Sequence, residues 1–589
     1  MAASKGACMN GRITLVILLV AIVLTVWTPA QTQPPADLVL LNGKIITVDP
    51  QDTIAEAVAI TAGRIAAVGR TADIKSRAGA ATQVIDLGGR AMTPGLIDAH
   101  VHFTQVDSLF NVDLSTAKSI EEALAAVAAR VAKAKPGEWI RGRGWDEGKF
   151  AERRYLTAAD LDKVAPNNPV WLTQTTGHYG AANSYALKIA EVRSGTPDPP
   201  AGTIDRGAQG APTGVMKEGA QGLVTRHLPP MTREQQKAGL VKMIEDFNRE
   251  GMTGAKDPGI GEAKWELYKE LLAEGRLTVR VFALWSGPTR AQDVPAVLAH
   301  LNANPRLPAT LGDGMLSSGG VKMFMDGSGG ARTAWMYDDW NRNRTGKDTG
   351  NSGYPNTPPD AYRAIVTAFH KAGVHVSTHA IGDRAIDWVV DTYAQMLAAT
   401  PTRGLRHGVI HANTPTDHAI AEIARLQRDF DAAYPEASAA FMWWIGDNYA
   451  ANLGPERSLR LKPFKTFVNK NIKWAQGSDY SVTPYPARYG LWASVARETL
   501  QGSWGRTPFG TAEAIDVHTA LRSYTIWAAH QLFQDERIGS IEAGKDADLA
   551  VWDRDPYTVP TAALKDMRAE LTLVKGRPVF RAPGFSGAR

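Results

Sequence analysis

Two histidines stand one residue apart in Ile97-Asp98-Ala99-His100-Val101-His102, at the end of a run of strand-forming residues. Alternation along an extended chain puts His100 and His102 on one face. There two imidazoles can share one divalent first-row ion such as zinc. Further along, His379 closes the stretch 374–378, His411 closes 408–410, and Asp479 follows Gly477-Ser478. A single histidine in such a place is more often a satisfied, partly buried residue than a ligand. Four histidines and a carboxylate that all close predicted strands form a converging donor set.

Lys322 lies in Gly319-Gly320-Val321-Lys322-Met323-Phe324-Met325-Asp326-Gly327. Val321 and Met323 read as facing outward into helices, which turns Lys322 inward. A buried ammonium is costly unless it is paired or chemically altered. Two readings stay open: an ion pair to an interior carboxylate such as Asp479, or reaction with carbon dioxide to a carbamate. The carbamate is an anion able to bridge two metals.

The elements that must hold these groups are short apolar runs, candidate strands at 91–99, 253–256, 278–284, 320–325, 374–379, 408–411, 437–442 and 472–478. Helical stretches at 120–134, 264–274, 359–372 and 385–399 lie among them. The alternation predicts a parallel barrel with its chemistry at the C-terminal strand ends. About 150 residues separate the first strand from the second, far more than a crossover needs, so that span holds an insertion. Strands with a different texture occur at both chain ends. Residues 37–48 are expected to form a hairpin at Asn42-Gly43, 57–69 another at Ala62-Gly63, and 548–552 and 571–579 further strands. Neither end has enough apolar face to fold alone. The expected fold is therefore α/β: a (β/α)8 TIM-like barrel, a small β-sandwich formed from both chain ends, and a long insertion after the first barrel strand. The expected boundaries are 1–30 for a signal peptide, 31–90 and 539–589 for the sandwich, and 91–538 for the barrel, its insertion at about 135–250.

The chain has 589 residues, 44% of them hydrophobic and 21% charged, enough apolar material for a large core. Lys5 and Arg12 precede the apolar stretch 13–27, then Thr28-Pro29-Ala30 and a polar segment. Basic, apolar and small segments in that order form a secretory signal, implying export to the periplasm or medium. The alternative is an uncleaved N-terminal membrane anchor. The net charge of +5 falls to about +3 without Lys5 and Arg12, too mild to argue for nucleic acid. The single cysteine, Cys8, lies in the leader, so the mature chain forms no internal disulfide.

The sequence resembles the amidohydrolase superfamily, in the branch containing N-substituted formamide deformylase and similar exported amidohydrolase-family-3 hydrolases. The carriers are Pro94 through His102, Val321 through Ser328, His379-Ala380-Ile381-Gly382-Asp383-Arg384-Ala385, Gly477-Ser478-Asp479, and Gly539 through Leu549. The resemblance implies that His100, His102 and Asp479 hold a first metal and His379 and His411 a second. An N6-carboxylated Lys322 would bridge the two divalent ions, read as Zn2+. Asp479 would be the catalytic acid/base for a metal-bound hydroxide attacking an amide, formamide, carbamate or cyclic amide. Relatives of this kind often have Glu before the sixth-strand histidine; here it is Ile410, so His411 lacks that support.

On the substrate side, His178 in Gly177-His178-Tyr179 resembles a segment of relatives that reaches over the site. Arg332 offers a partner for a substrate carboxylate, or a structural salt bridge. Trp145 and Asp146 are expected at the pocket wall, and Trp443 and Trp444 as an aromatic surface. The metal site alone leaves a deaminase or an ester or lactone hydrolase open as alternatives, and a non-catalytic binding protein as a third. The expected partner is a small-molecule substrate and not nucleic acid. A homodimer stays open, and a membrane is a partner only if the leader is uncleaved.

Overall fold

The computed structural model describes residues 34–304, 309–340, 350–502 and 509–585; the apolar leader and its cleavage position lie outside them. Strands from both chain ends form two sheets. One holds Ala36–Leu41, Ala57–Thr61, Arg64–Gly69 and Ala78–Asp86. The other joins Lys44–Ile46, Ile54–Ala55 and Ala91–Pro94 to Leu549–Trp552, Ala569–Val574 and Arg577–Arg581. Leu38, Leu40, Val58 and Ile60 from the first sheet share one apolar cluster with Ile45, Val551, Leu571 and Leu573 from the second. The Ala62-Gly63 hairpin forms as expected. The Asn42-Gly43 pair does not make a hairpin. It carries the chain from one sheet to the other, because Ala36–Leu41 finds its partners in Ala57–Thr61 and Ala78–Asp86.

A second architecture occupies the middle of the chain. Seven strands run parallel in one curled sheet: β1 (Leu96–Asp98), β2 (Met252–Ile260), β3 (Arg280–Ser286), β4 (Leu316–Phe324), β5 (His375–Ala380), β6 (Gly408–His411) and β7 (Tyr434–Glu436). Spatial order follows chain order from β1 to β7. The segment 474–476 bonds to both edges: Ala437 N donates to Ala475 O (2.9 Å) and Ala99 N to Gln476 O (2.9 Å). This is a TIM-like α/β fold. Outward residues such as Leu316, Val321 and Met323 join the main apolar cluster. Helices cover them; Asp383–Ala399 buries Ile386, Val389, Val390, Tyr393 and Leu397 at helical spacing.

Three predicted strands differ in detail. The stretch 91–99 is divided at Gly95: Ala91–Pro94 pairs with Leu549–Trp552, and β1 pairs with β2. A Cβ on Gly95 would lie 2.2 Å from Thr253 Oγ1, so only glycine lets the chain pass from sheet to barrel there. The seventh strand is Tyr434–Glu436, and the apolar run after it starts the helix Ala440–Trp444. Short apolar runs suit a buried strand or a buried helix equally well. The expected strand 472–478 is an isolated bridge at Ala475.

The insertion has its own six-stranded sheet, running across from Val112–Asp113 through Ile140–Trp145, Val170–Gln174, Tyr179–Ala182 and Pro212–Glu218 to Gly202–Arg206 at the edge. It begins some way before the expected position near about 135, because Val112–Asp113 pairs with Ile140–Trp145.

Arg280, at the start of β3 and fully buried, ties the barrel to the C-terminal strands. Its Nε donates to Asp548 Oδ2 (2.6 Å), its Nη2 to Asp546 Oδ2 (2.9 Å), and its Nη1 to Gly314 O (3.2 Å). The Asp546-Ala547-Asp548 motif therefore does structural work. Replacing Arg280 by Met leaves buried Asp548 without its cation, while Asp546 keeps Arg537 (3.1 Å). Denaturant unfolding should show a loss of about 3–5 kcal/mol; a loss within about 0.5 kcal/mol would remove the pair from the fold's support.

Candidate metal centre

The predicted donors meet at the C-terminal mouth of the sheet. His100 and His102 follow β1, Lys322 lies on β4, His379 on β5, His411 ends β6, and Asp479 follows the eighth segment. One donor atom each from His100, His411 and Asp479 lie within 4.8 Å of one another. Asp479 Oδ1 stands 3.2 Å from His102 Nε2 and 3.5 Å from His100 Nε2; its Oδ2 is 3.9 Å from His411 Nε2. His102 is the open side of the cluster, its side chain 49% exposed.

Hydrogen bonding fixes which nitrogen of His379 is free. Its Nε2 donates to Gly327 O (2.8 Å), so the lone pair is on Nδ1, which faces His411 Nε2 at 3.1 Å. Burial, with neighbouring histidines and Lys322, holds both imidazoles well below the usual histidine range, so they are neutral. His100 is likewise lowered to about 4, chiefly by burial. Both its ring nitrogens are buried without a hydrogen-bond partner. Burial raises the Asp479 carboxyl, but the His102 hydrogen bond and the nearby His100 and Lys322 outweigh it and keep Asp479 ionised. Neutral imidazoles aimed at one another beside a carboxylate are a donor set that fits a divalent cation.

Lys322 is buried, and its Nζ lies 4.6 Å from the Phe324 ring centroid. Burial depresses its pKa to about 8, against the opposing pull of Asp479 and Glu436.

The surrounding loops lock together. Asp98 accepts from His100 N (3.0 Å), Ser478 N (3.0 Å) and Ser478 Oγ (2.6 Å), and Asp479 N donates to His100 O (2.6 Å). Asp326 accepts from Ile381 N (3.0 Å), Gly382 N (2.8 Å) and Trp335 N (2.9 Å), which joins the β4 and β5 loops beside His379. His411 and Asp479 have positive φ, 71° and 53°, a conformation side chains rarely adopt and one concentrated at functional sites. Lys462 Nζ holds the strained turn by donating to His411 O (2.6 Å).

Of the substrate-side candidates, only His178 reaches the cluster. Its ring centroid is 5.0 Å from that of His379, and Glu218 grips its Nδ1 at 2.9 and 3.0 Å. Burial lowers its pKa, but Glu218 outweighs burial and raises it. Glu218 is itself held by Thr333 Oγ1 and Asn356 Nδ2. Arg332 is buried with its guanidinium over the Tyr155 ring, within the electrostatic reach of Glu147. Trp145 is not at a pocket wall: it is fully buried, donates from Nε1 to Leu172 O (2.8 Å) and packs on Phe150, Tyr155 and Tyr179. Asp146 is buried beside it and accepts from Gly148 N (2.8 Å). Trp444 does line a cavity of about 180 Å³ together with Tyr480, Tyr485, Asp113 and Arg143, whereas Trp443 packs on Tyr489 and Trp492.

Sequence reasoning missed Glu436 and Lys256, fully buried ion-pair partners just beneath His100. Both sit on strands that the apolar pattern located only approximately; Glu436 is a lone charge beside an apolar run, and Lys256 is followed directly by Asp257.

Fold and donor set together define a metal-dependent hydrolase of the barrel type. The chain belongs to the amidohydrolase family, whose model matches residues 83–580, and it is accordingly an enzyme acting on C–N bonds. It is 29% identical to the N-substituted formamide deformylase of Arthrobacter pascens, over 92% of this chain and 97% of that one. It is 30% identical to Protein LONG AFTER FAR-RED 3 of Arabidopsis thaliana, over 90% of each. Its fold matches that of an uncharacterized metal-dependent hydrolase from Pyrococcus horikoshii OT3 with a TM-score of 0.67 and 24% identity, covering 89% of this chain and 99% of that one.

A metal titration separates site from core. His411→Ala should lower Zn2+ uptake, measured by elemental analysis. Trp145→Phe should leave uptake unchanged and lower the melting temperature. Reduced Zn2+ uptake in Trp145→Phe would place that tryptophan at the site after all.

Proposed function

We propose that the protein hydrolyses a non-peptide C–N bond of a small molecule, in an N-substituted amide, formamide, carbamate or cyclic amide. The observation that carries this is the convergence of neutral His379 and His411, Nδ1 to Nε2 at 3.1 Å, beside ionised Asp479 and within reach of His100. The deformylase relative makes an N-substituted formamide the first substrate to assay.

In this reading His100, His102 and Asp479 would hold one Zn2+, His379 and His411 would hold a second, and N6-carboxylated Lys322 would supply an anionic ligand. Such ions would acidify a water and polarise the scissile carbonyl. The lowered pKa of Lys322 increases the share of neutral amine, the form that reacts with carbon dioxide. Lys256, not Lys322, is the lysine bonded to Glu436, which leaves Lys322 for this chemistry.

The chain's own residues then account for proton and substrate. Asp479 takes the proton of the attacking water on a carboxylate oxygen. As the C–O bond forms and the C–N bond breaks, it delivers that proton to the departing nitrogen. His178, its Nδ1 held by Glu218, presents Nε2 above the cluster as a donor to the substrate's carbonyl oxygen.

Asp479→Asn should keep most of the metal and lose about 10²–10⁴-fold in kcat, as expected for a missing proton carrier. Wild-type turnover in that variant would take Asp479 out of the mechanism. Lys322→Ala should lower the occupancy of both metals, and a short carboxylic acid should restore part of the activity. Two metals per chain in Lys322→Ala would make the lysine structural.

A further inference from the structure

Beneath the donor cluster lies a second polar layer that the proposed reaction does not use. Glu436 ends β7 and is fully buried. Its Oε1 accepts from Lys256 Nζ (2.7 Å) and from Ser377 Oγ (2.5 Å). Lys256, on β2 and also fully buried, turns its other two protons to Ser377 Oγ (3.0 Å) and His375 Nε2 (3.5 Å). His375 can accept there because its Nδ1 donates to Leu405 O (2.9 Å). Every donor in this layer thus has a defined acceptor, and only Glu436 Oε2 is left over. It is buried without a hydrogen-bond partner, 3.5 Å from His100 Nδ1, itself an orphaned nitrogen.

We propose that Glu436 is a positioning residue for the metal site: it accepts the Nδ1 proton of His100 and so aims the Nε2 lone pair at the cation beside Asp479. The inference rests on the metal reading given above. A histidine ligand needs its second nitrogen anchored, because the anchor selects the tautomer, fixes the ring plane and raises the basicity of the ligating atom. His379 has such an anchor in Gly327 O. For His100 the acceptor comes from β7, on the far side of the segment 474–476, and no other acceptor among the described residues bonds its Nδ1. The bonds from Lys256 and Ser377 have a second consequence: they hold Oε1, and so leave Oε2 as the atom of the carboxylate that faces His100.

The test compares Zn2+ affinity, by competition with a chromophoric chelator at fixed pH, and the visible spectrum of the cobalt(II) form. The proteins are the wild-type chain, Glu436→Gln, and the double variant Lys256→Met with Glu436→Met. The double variant leaves no lone buried charge, so it folds even where Glu436→Gln does not. Expected is a loss of about 10–100-fold in Zn2+ affinity and an altered cobalt spectrum in each variant that folds. Wild-type affinity and spectrum in the double variant, whatever its melting temperature, would overturn the assignment and leave the metal reading standing. A wild-type chain that takes up neither ion would overturn both.

Discussion

Two neutral imidazoles meet in a dry lumen, His411 Nε2 3.1 Å from His379 Nδ1, and at that distance the two nitrogens share either a proton or a cation. His379 offers the accepting lone pair, since Gly327 O occupies its other nitrogen. His411 is fixed from behind by Lys462 and by a backbone turn with φ of 71°. Asp479 adds a negative charge to the same small volume. The rest of the molecule can be understood as what makes this contact rigid: strands that deliver each donor, loops tied by Asp98 and Asp326, and helices that keep the strands in register.

Charge is sorted by depth in the lumen. Lys256 and Glu436 neutralise one another in the lower layer, at the cost of removing both from water. That pairing satisfies one lumen lysine; among the described residues no carboxylate is bonded to the other, Lys322, at the level of the histidines. The two lysines thus take different parts because Lys256 on β2 is opposite Glu436.

The remainder of the chain divides into a clamp and a cover. Strands from both ends form two sheets around one apolar cluster, and Arg280 with Asp546 and Asp548 fastens them to β3. The insertion contributes a sheet with its own core around Trp145, and from it the His178–Glu218 pair reaches the histidines. The cover brings the one substrate-side histidine that meets the cluster, while Arg332 and Trp145 support the insertion's packing.

The donors were legible in the sequence because a parallel barrel puts chemistry where strands end, and strand ends can be read from short apolar runs. His100, His102, His379, His411 and Asp479 each terminate such a run, and the side-chain alternation around Lys322 gave its inward direction. What the sequence could not determine was anything set by a neighbour on another strand. Register across β2, β5 and β7 decides that Lys256, Ser377 and Glu436 meet, and no local pattern encodes a contact between residues 180 positions apart. The same holds for Asn42-Gly43, a turn pair that locally favours a hairpin but is overruled by better strand partners elsewhere. Local propensity and periodicity determined which polar residues stand at the strand ends. Tertiary packing alone decided which of them are anchored, which are paired, and which nitrogen of His379 is free, because those depend on distances between strands and not along them.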